Sequence, residues 1–447
     1  MNKWENRLKI LGPLLPALIG FYGFMQIEGI TVSWALYYTF RLYGLNTDIG
    51  EINIFIEIAR WMAPVSIAGV LLLAIKSIKT HFITFLRAMK KDCCSVYGNS
   101  TEAADLLENL GKSGIQGSLD KIRNTPYHVI MFENENDTVA FYSKNEQTLK
   151  KHKVYLSMER NQMLNMKDNN IFAFSAADNC ALQYWKNHLA TKNERIAIIG
   201  DEELTDTLLF RGLLTNLTAL DQCIEYHIWK KEHDFPYLHS GLKEINMDRI
   251  IFHEQPYYKE FELLQQMNRI ILCGHDVDNL KMLAKVSETL IAPEIHVKMR
   301  YSAGAVTIYG NSKVKVFGTS DELMTREIII KEELLEGAKE LHNGYYKLYG
   351  GKSWEELDAF KKQANLFSAE YSLVVEKLYM SGTDKETLAE LVHECWCRFH
   401  YLNGWSYAEK RNDAAKQHNL LVPYKKLSEE DKQKDMDIVE KAIMKVE

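Results

Sequence analysis

A basic excess is missing from this sequence. Its 447 residues carry 54 Lys and Arg against 60 Asp and Glu, a net charge of -6. That balance argues against broad nucleic-acid binding, which calls for a cationic face. Cysteines are few and irregular: seven, an odd number. Cys93/Cys94 and Cys395/Cys397 are close pairs, but no Cys-x2-Cys spacing occurs. Reduced cytosolic thiols are expected, and no metal site. No nucleophile elbow, metal cluster or acid–base pair stands out, so an enzyme is not expected. Long uncharged runs are scarce as well, and both fall before Lys79. The mean hydropathy of -0.26 averages over that asymmetry. The length suits about three domains.

The first run, Ile10 to Ile27, holds Pro13, Pro16 and three glycines. A membrane helix tolerates these better than a soluble one, because neighbouring helices re-satisfy freed backbone groups. Lys3, Arg7 and Lys9 precede it, and no small-x-small cleavage site follows. The second run, Trp61 to Ile75, reaches spanning length when extended back to Ile52. It then includes Glu57 and Arg60, three apart and able to pair on one helix face. Such a pair is either a buried functional pair or an interfacial anchor beside Trp61. Between the runs, Gly29 to Gly50 is aromatic-rich and reads as an interfacial or re-entrant helix. Lys76, Lys79, Arg87, Lys90 and Lys91 follow the second run. The positive-inside tendency then puts both termini in the cytoplasm, with two crossings of the inner membrane. This layout is similar to a two-helix potassium-channel pore, but the TVGYG-type filter is absent.

From Cys93 onward, strands and helices alternate. Tyr127–Phe132, Lys153–Met158 and Asn170–Phe174 read as strands, and so do Arg195–Gly200, Arg269–Gly274 and Glu294–Met299. Helices are expected over Asn99–Gly111, Ala176–His188 and Asp201–Leu217. Alternation of this kind predicts parallel α/β sheets in two halves. Gly98 and Gly200 each stand where a dinucleotide fingerprint has its first glycine. Its second glycine is replaced by Ser100 and by Glu202, its third by Ala103 and by Thr205. Without the second glycine pyrophosphate cannot approach the backbone closely, so NAD binding is expected to be weak or absent. The plainer alternative for both glycines is a structural α/β turn.

GNSTEAADLLENL, RIILCGHDVDNLKMLAKV and KVKVFGTSDELMTREIIIKEELLEGAKELHNGYY resemble the TrkA-N, or RCK, domains of potassium-uptake and channel regulators. The resemblance runs from Asp92 to Tyr346 and implies a duplicated Rossmann-like fold, with Gly98, Ser100 and Gly200 at the cofactor positions.

The segment after Ser353 is helical, charged and aromatic. It carries His393-Glu394-x-Trp396, Asn403-Gly404-Trp405-x-Tyr407, Arg411-Asn412-Asp413 and Leu420-Leu421-Val422-Pro423-Tyr424. A helix through Trp396 should stop near Gly404 as its C-cap. Trp396, Trp405 and Tyr407, beside Arg398, His400 and Arg411, suit a stacked base and a phosphate. The alternative is that Trp396, Tyr407 and Tyr424 form the core of a small domain. Ser428 with Glu429, Glu430 and Asp431 reads as an N-cap with first-turn acids. From Leu388 to Val439 the chain resembles the repeat domain of ryanodine receptors, the RYR domain. That resemblance implies adenine-nucleotide binding, with Trp396, His400 and Trp405 in the corresponding places and Tyr424 among the ligand-binding candidates. His400 stands where an arginine is expected, which weakens phosphate affinity.

The expected architecture is therefore multi-domain. A two-helix transmembrane module and basic linker occupy 1–91, and Rossmann-like, RCK-like halves occupy 92–190 and 191–350. A mainly α RYR-like domain occupies 351–447. The expected function is a membrane-anchored sensor, a homo-oligomer that binds a nucleotide-type ligand and acts on the membrane through ion conductance or leakage. Bacterial chains of this architecture resemble signalling and antiphage components. An NAD(P)-dependent enzyme and a protein-binding membrane scaffold are the alternatives.

Overall fold

The computed structural model describes residues 3–44, 50–158, 170–289, 292–301, 314–330 and 332–444, excepting the side chains of 3–11, 73, 74, 77, 80, 81, 287–289 and 332–335. Residues 45–49 of the expected interfacial segment, Lys313 and Lys331 of the RCK-like segment, and the side chains of Lys3, Arg7 and Lys9 lie outside the described residues. The chain divides into two compact units, Met1–Met89 and Lys90–Glu447.

The first unit is three helices: α1 (Lys3–Met25), α2 (Val32–Leu42) and α3 (Ile54–Ala88). Glycine lets α1 approach its neighbours closely. A Cβ on Gly20 would sit 2.6 Å from Leu42 Cδ1, and one on Gly23 would sit 2.9 Å from Ile56 Cγ1. Asn53 caps α3 by accepting the Ile56 N–H, and its amide donates to the Gly23 carbonyl at 2.7 Å. Phe24, Leu42, Ile56, Ala59 and Ala63 are buried between the helices. Among the described residues, one helix is long and apolar enough to cross a membrane, over Ile54–Leu72. The apolar part of α1, Gly12–Met25, is shorter. Glu57 and Arg60 do approach each other, at 3.9 Å, and both are more than two-fifths exposed. Trp61 donates to Glu57 at 3.2 Å.

The second unit holds two large sheets whose named strands are all parallel. The first joins β1 (Cys94–Tyr97), β2 (Gly114–Gln116), β3 (Tyr127–Ile130), β4 (Lys153–Ser157) and β5 (Ile171–Phe174) in the order β2-β1-β3-β4-β5. The second joins β6 (Arg195–Ile199), β7 (Glu225–Trp229), β8 (Arg249–His253), β9 (Arg269–Leu272), β10 (Glu294–Lys298) and β11 (Val314–Phe317) in the order β11-β10-β9-β6-β7-β8. Counted from its own first strand, each sheet has one of the two common doubly wound orders. Register sets like against like: Val96 faces Val129, and Ile198 faces Ile271. Strands buried on both faces read as continuous apolar runs, and β6 and β9 show that signature. The longer helices of these sheets are α4 (Thr101–Leu110), α5 (Glu135–Leu149), α6 (Ala176–Asn187) and α7 (Glu203–Thr215), with α8 (Asp276–Thr289) after β9.

Four further helices close the chain: α9 (Glu332–Tyr349), α10 (Ala359–Met380), α11 (Lys385–Leu402) and α12 (Glu429–Ile443). Between the last two, β12 (Ser406–Tyr407) pairs with β13 (Gln417–His418). The terminal helices are not a separate bead. One apolar cluster runs from Val96 and Val129 in the first sheet, through Ile196 and Leu209 at the second, to Phe399 and Leu402 on α11.

Candidate functional site

The two strand–glycine–helix joints come first, because a cofactor would sit there. Gly98 has φ +137°, and a Cβ on it would lie 1.8 Å from the Met131 carbonyl oxygen. Only glycine fits, and the reason is the neighbouring strand end. Ser100 is the N-cap of α4: its Oγ accepts the Ala103 N–H and donates to Met131 O. Its hydroxyl is buried and already committed. A Cβ on Gly200 would lie 2.9 Å from the Gly274 nitrogen, so close packing of β6 on β9 requires this glycine. The first turn of α7 is acidic, with Glu203 and Asp206. Before it, Asp201 accepts from the Lys231 N–H and ammonium, and Glu202 pairs with His275 at 2.8 Å. Carboxylates thus surround the helix end where a pyrophosphate would need bare N–H groups. Gly98, Ser100 and Gly200 serve here as turn, cap and packing residues, and at the Gly200 joint the carboxylates oppose a pyrophosphate.

The larger feature is a cavity of about 830 Å³ among α9, α10, α11 and α12. Helix α11 builds one wall. His393, Trp396 and His400 lie at i, i+3 and i+7, on one helix face. All three line the cavity. The helix then stops as expected. Gly404 takes φ +79°, its N–H bonds Tyr401 O, and the Trp405 N–H bonds His400 O at 3.0 Å. This is the Schellman pattern, and it folds Trp405 back onto the helix. Trp405 is 6% exposed and stacks on Phe360 with ring centroids 5.1 Å apart. Trp396 is only half-buried and has His400 beside it at 4.0 Å and His418 edge-on at 5.0 Å. Phe360, Trp396, His400, Trp405 and His418 make an aromatic pole at the cavity.

Its two histidines are neutral. Burial drives His400 down to about 3, and His418, buried near Arg411, down to about 4. His400 Nδ1 faces the Trp396 carbonyl at 2.9 Å, so this nitrogen carries the proton and Nε2 is left as an acceptor. His418 Nδ1 accepts the Leu420 N–H, which leaves Nε2–H as a donor. Cations stand at the rim. Arg411 and Lys361 share the Asp413 carboxylate, at 2.6 Å and 3.1 Å. The Arg411 hydrogen bond, aided by Lys361, holds Asp413 down at about 2. Lys434 pairs with Asp431 at 2.7 Å.

The expected ligand-binding residues separate into two groups. Trp396, His400, Trp405 and Arg411 meet at the cavity. Arg398 does not, and this is a correction. It is fully buried on the opposite face of α11, where its guanidinium bonds Asp248 at 2.6 Å, Leu213 O at 2.9 Å and Glu394 at 3.2 Å. A residue two positions from Trp396 on a helix points elsewhere. Tyr407 is 53% exposed on β12 and Tyr424 packs in the core with Val392 and Val439; neither lines the cavity. Phe360, Lys361, His418 and Lys434 belong to the site but were not expected from the sequence.

His393 departs from its neighbours. Burial opposes its charge, but the Asp435 carboxylate at 3.2 Å and the Val422 carbonyl at 2.8 Å more than offset that, holding it above the usual histidine range. Cys397 Sγ lies 3.4 Å from the same ring, in the order Cys–His–Asp. It is not an activated nucleophile. The Nε2 proton is committed to Val422 O, and burial pushes the thiol well up. A histidine raised in the folded state stabilises below its unfolded value of 6.5 and loses that contribution as pH rises through the folded value. The melting-temperature gap between wild type and His393→Gln should therefore narrow as pH is raised from 6 to 9 (roughly, spanning that window). A gap that widens would mean that His393 is neutral when folded.

Among the described residues, no group of three or more His, Cys, Asp or Glu side chains is placed to hold a metal ion. The family description "RyR domain" matches residues 381–446, which contain α11, the Schellman turn, the β12–β13 pair and all of α12. The C-terminal region is thus a helical RyR domain. No curated protein and no solved structure matches the chain.

Proposed function

We propose that this chain is a membrane-tethered sensor whose RyR domain takes a nucleotide-type ligand into the α9–α12 cavity, and which acts on the membrane as a homo-oligomer. The carrying observation is the aromatic pole. Trp396 is only half-buried at the cavity, while the neutral His400 and His418 present one acceptor and one donor, Nε2 and Nε2–H, close by. A base with adjacent amino donor and ring-nitrogen acceptor, as in adenine, matches that pair. Arg411 and Lys361 would meet its phosphate by exchanging Asp413 for it. The lining also carries Asp431, Asp435, Asp437 and Glu440, so a lightly charged nucleotide suits the site better than a triphosphate.

Membrane tethering is supported by Ile54–Leu72 and by the basic residues that follow it. The doubly wound orders of both sheets support the RCK-like reading of 92–350 as scaffold rather than dinucleotide site. Action on ion conductance, and a role in antiphage signalling, rest on that architecture.

A thermal-shift panel on the full-length protein in detergent tests the reading. Adenine nucleotides should raise the melting temperature, and uracil nucleotides, which lack the amino donor, should do so less. If no nucleotide shifts it at millimolar concentration, the cavity is not a nucleotide site.

A further inference from the structure

Helix α3 is longer than any membrane span needs. Its apolar crossing candidate ends at Leu72, yet the helix continues unbroken to Ala88. At 1.5 Å per residue the remainder projects roughly 24 Å further. That extension is not polar all round. Leu71, Ile75, Ile78, Phe82, Phe85 and Met89 follow one another in steps of four, three, four, three and four, and all are between 56% and 70% exposed. Alternating steps of three and four are the spacing of a coiled-coil seam, the a and d positions of a heptad. Counted back, the same register passes through Ala68 and Pro64 to Trp61.

Two further observations orient the seam. Ile56, Ala59 and Ala63, the α3 residues buried within the unit, fall on positions c, f and c of this register. Helix α1 therefore packs on the face away from the seam and leaves the seam open. Lys76 and Arg87 also lie off it, at b and f, and Lys79 lies at its flank. Like charges do not meet head-on when two such helices come together.

We infer that α3 pairs with α3 of a second copy of this chain along this seam. The a and d positions, broadened at e by Leu72 and Leu86, form an apolar face that is complementary to itself, so a like helix is the partner it fits. A lipid surface would also accept an apolar stripe with flanking lysines. However, α3 runs on from the spanning segment without a break, and that continuity carries the extension away from the bilayer rather than into its plane.

Cysteine cross-linking of the full-length protein in its membrane decides. Ile78→Cys and Phe82→Cys stand on the seam, and Lys76→Cys and Arg87→Cys stand off it. The native cysteines are buried except Cys223, which is half-buried and is replaced by Ser throughout. Mild oxidant should link the seam variants into dimers and leave the other two as single chains. Equal linking at all four positions, or none on the seam, would overturn the proposal. As a second measurement, Phe82→Glu should lower the mass of the detergent-solubilised particle by light scattering, with its melting curve retained. An unchanged mass, with the isolated chain losing affinity for anionic vesicles, would assign the stripe to lipid and likewise overturn it. Neither result depends on whether the RyR cavity binds a nucleotide.

Discussion

Arg398→Ala is expected to destabilise the Lys90–Glu447 unit by about 3–5 kcal/mol, the usual cost of removing one member of a buried ion pair. Arg398 and Asp248 have 0% and 1% of their side chains exposed. Asp248 also accepts the Ile224 N–H at 3.0 Å and the Gln222 amide at 3.2 Å, so it stays in place when the guanidinium is gone. A carboxylate is then left in the core without its cation. The pair ties α11 of the RyR domain to the loop before β8, and the loss should show as early melting of the α/β sheets and the RyR domain together. Arg398→Met with Asp248→Asn removes both charges and keeps an acceptor for Ile224, and should restore most of the stability. If Arg398→Ala melts like wild type but fails to bind nucleotide, Arg398 is a ligand residue after all and the burial argument is wrong.

Trp405→Ala should be comparably damaging, at about 3–5 kcal/mol for a buried tryptophan. Its ring packs with Cys397 and Leu421 and stacks on Phe360, and its backbone N–H closes the Schellman turn. The sequence alone places Trp396 and Trp405 together as the two ligand-stacking rings. The structure gives them different weights. Trp405 is mostly interior, and its loss should be read first in circular dichroism melting, with weakened ligand binding following from the collapsed wall. A Trp405→Ala protein that keeps its melting curve would return Trp405 to the ligand.

Local signals carried much of the architecture. RIAIIG, RIILCG and YHVIMF are short, apolar and bounded by turn residues, so β6, β9 and β3 were legible. Gly404 and Ser428 act as the caps that their positions imply; Ser428 Oγ accepts the Asp431 N–H. β7 and β8 were not legible, because Glu225, His227, Arg249 and His253 interrupt their apolar pattern. Their two histidines face each other at 2.9 Å, a contact that only the pairing of the strands creates. Helix α5 hides for a similar reason, with mostly polar residues around Phe141 and Leu149.

The candidate site was half legible. Aromatics and cations within 396–411 were visible as a cluster, but their directions were not. Arg398 points away because its partner Asp248 lies 150 residues earlier. Phe360 and Lys361 come from another helix, and no local spacing links them to Trp396. His418 lies within the RYR-like run, but only its Nδ1 bond to Leu420 shows that Nε2–H is the donor. In the Met1–Met89 unit, hydropathy found both apolar runs, and among the described residues α3 is the one helix long and apolar enough to cross a membrane.

The central claim is that Trp396, half-buried at the cavity, stacks a nucleotide base. Calorimetric titration of the full-length protein with AMP, ADP and ATP, wild type against Trp396→Ala, tests it most directly. Loss of one base–aromatic stack is worth about 1–3 kcal/mol, or roughly 5- to 150-fold in affinity. The account predicts saturable binding to wild type, weakened by that factor in Trp396→Ala, with a smaller loss of stability than Trp405→Ala shows. Wild type that binds none of the three, or Trp396→Ala that binds as tightly as wild type, would contradict it.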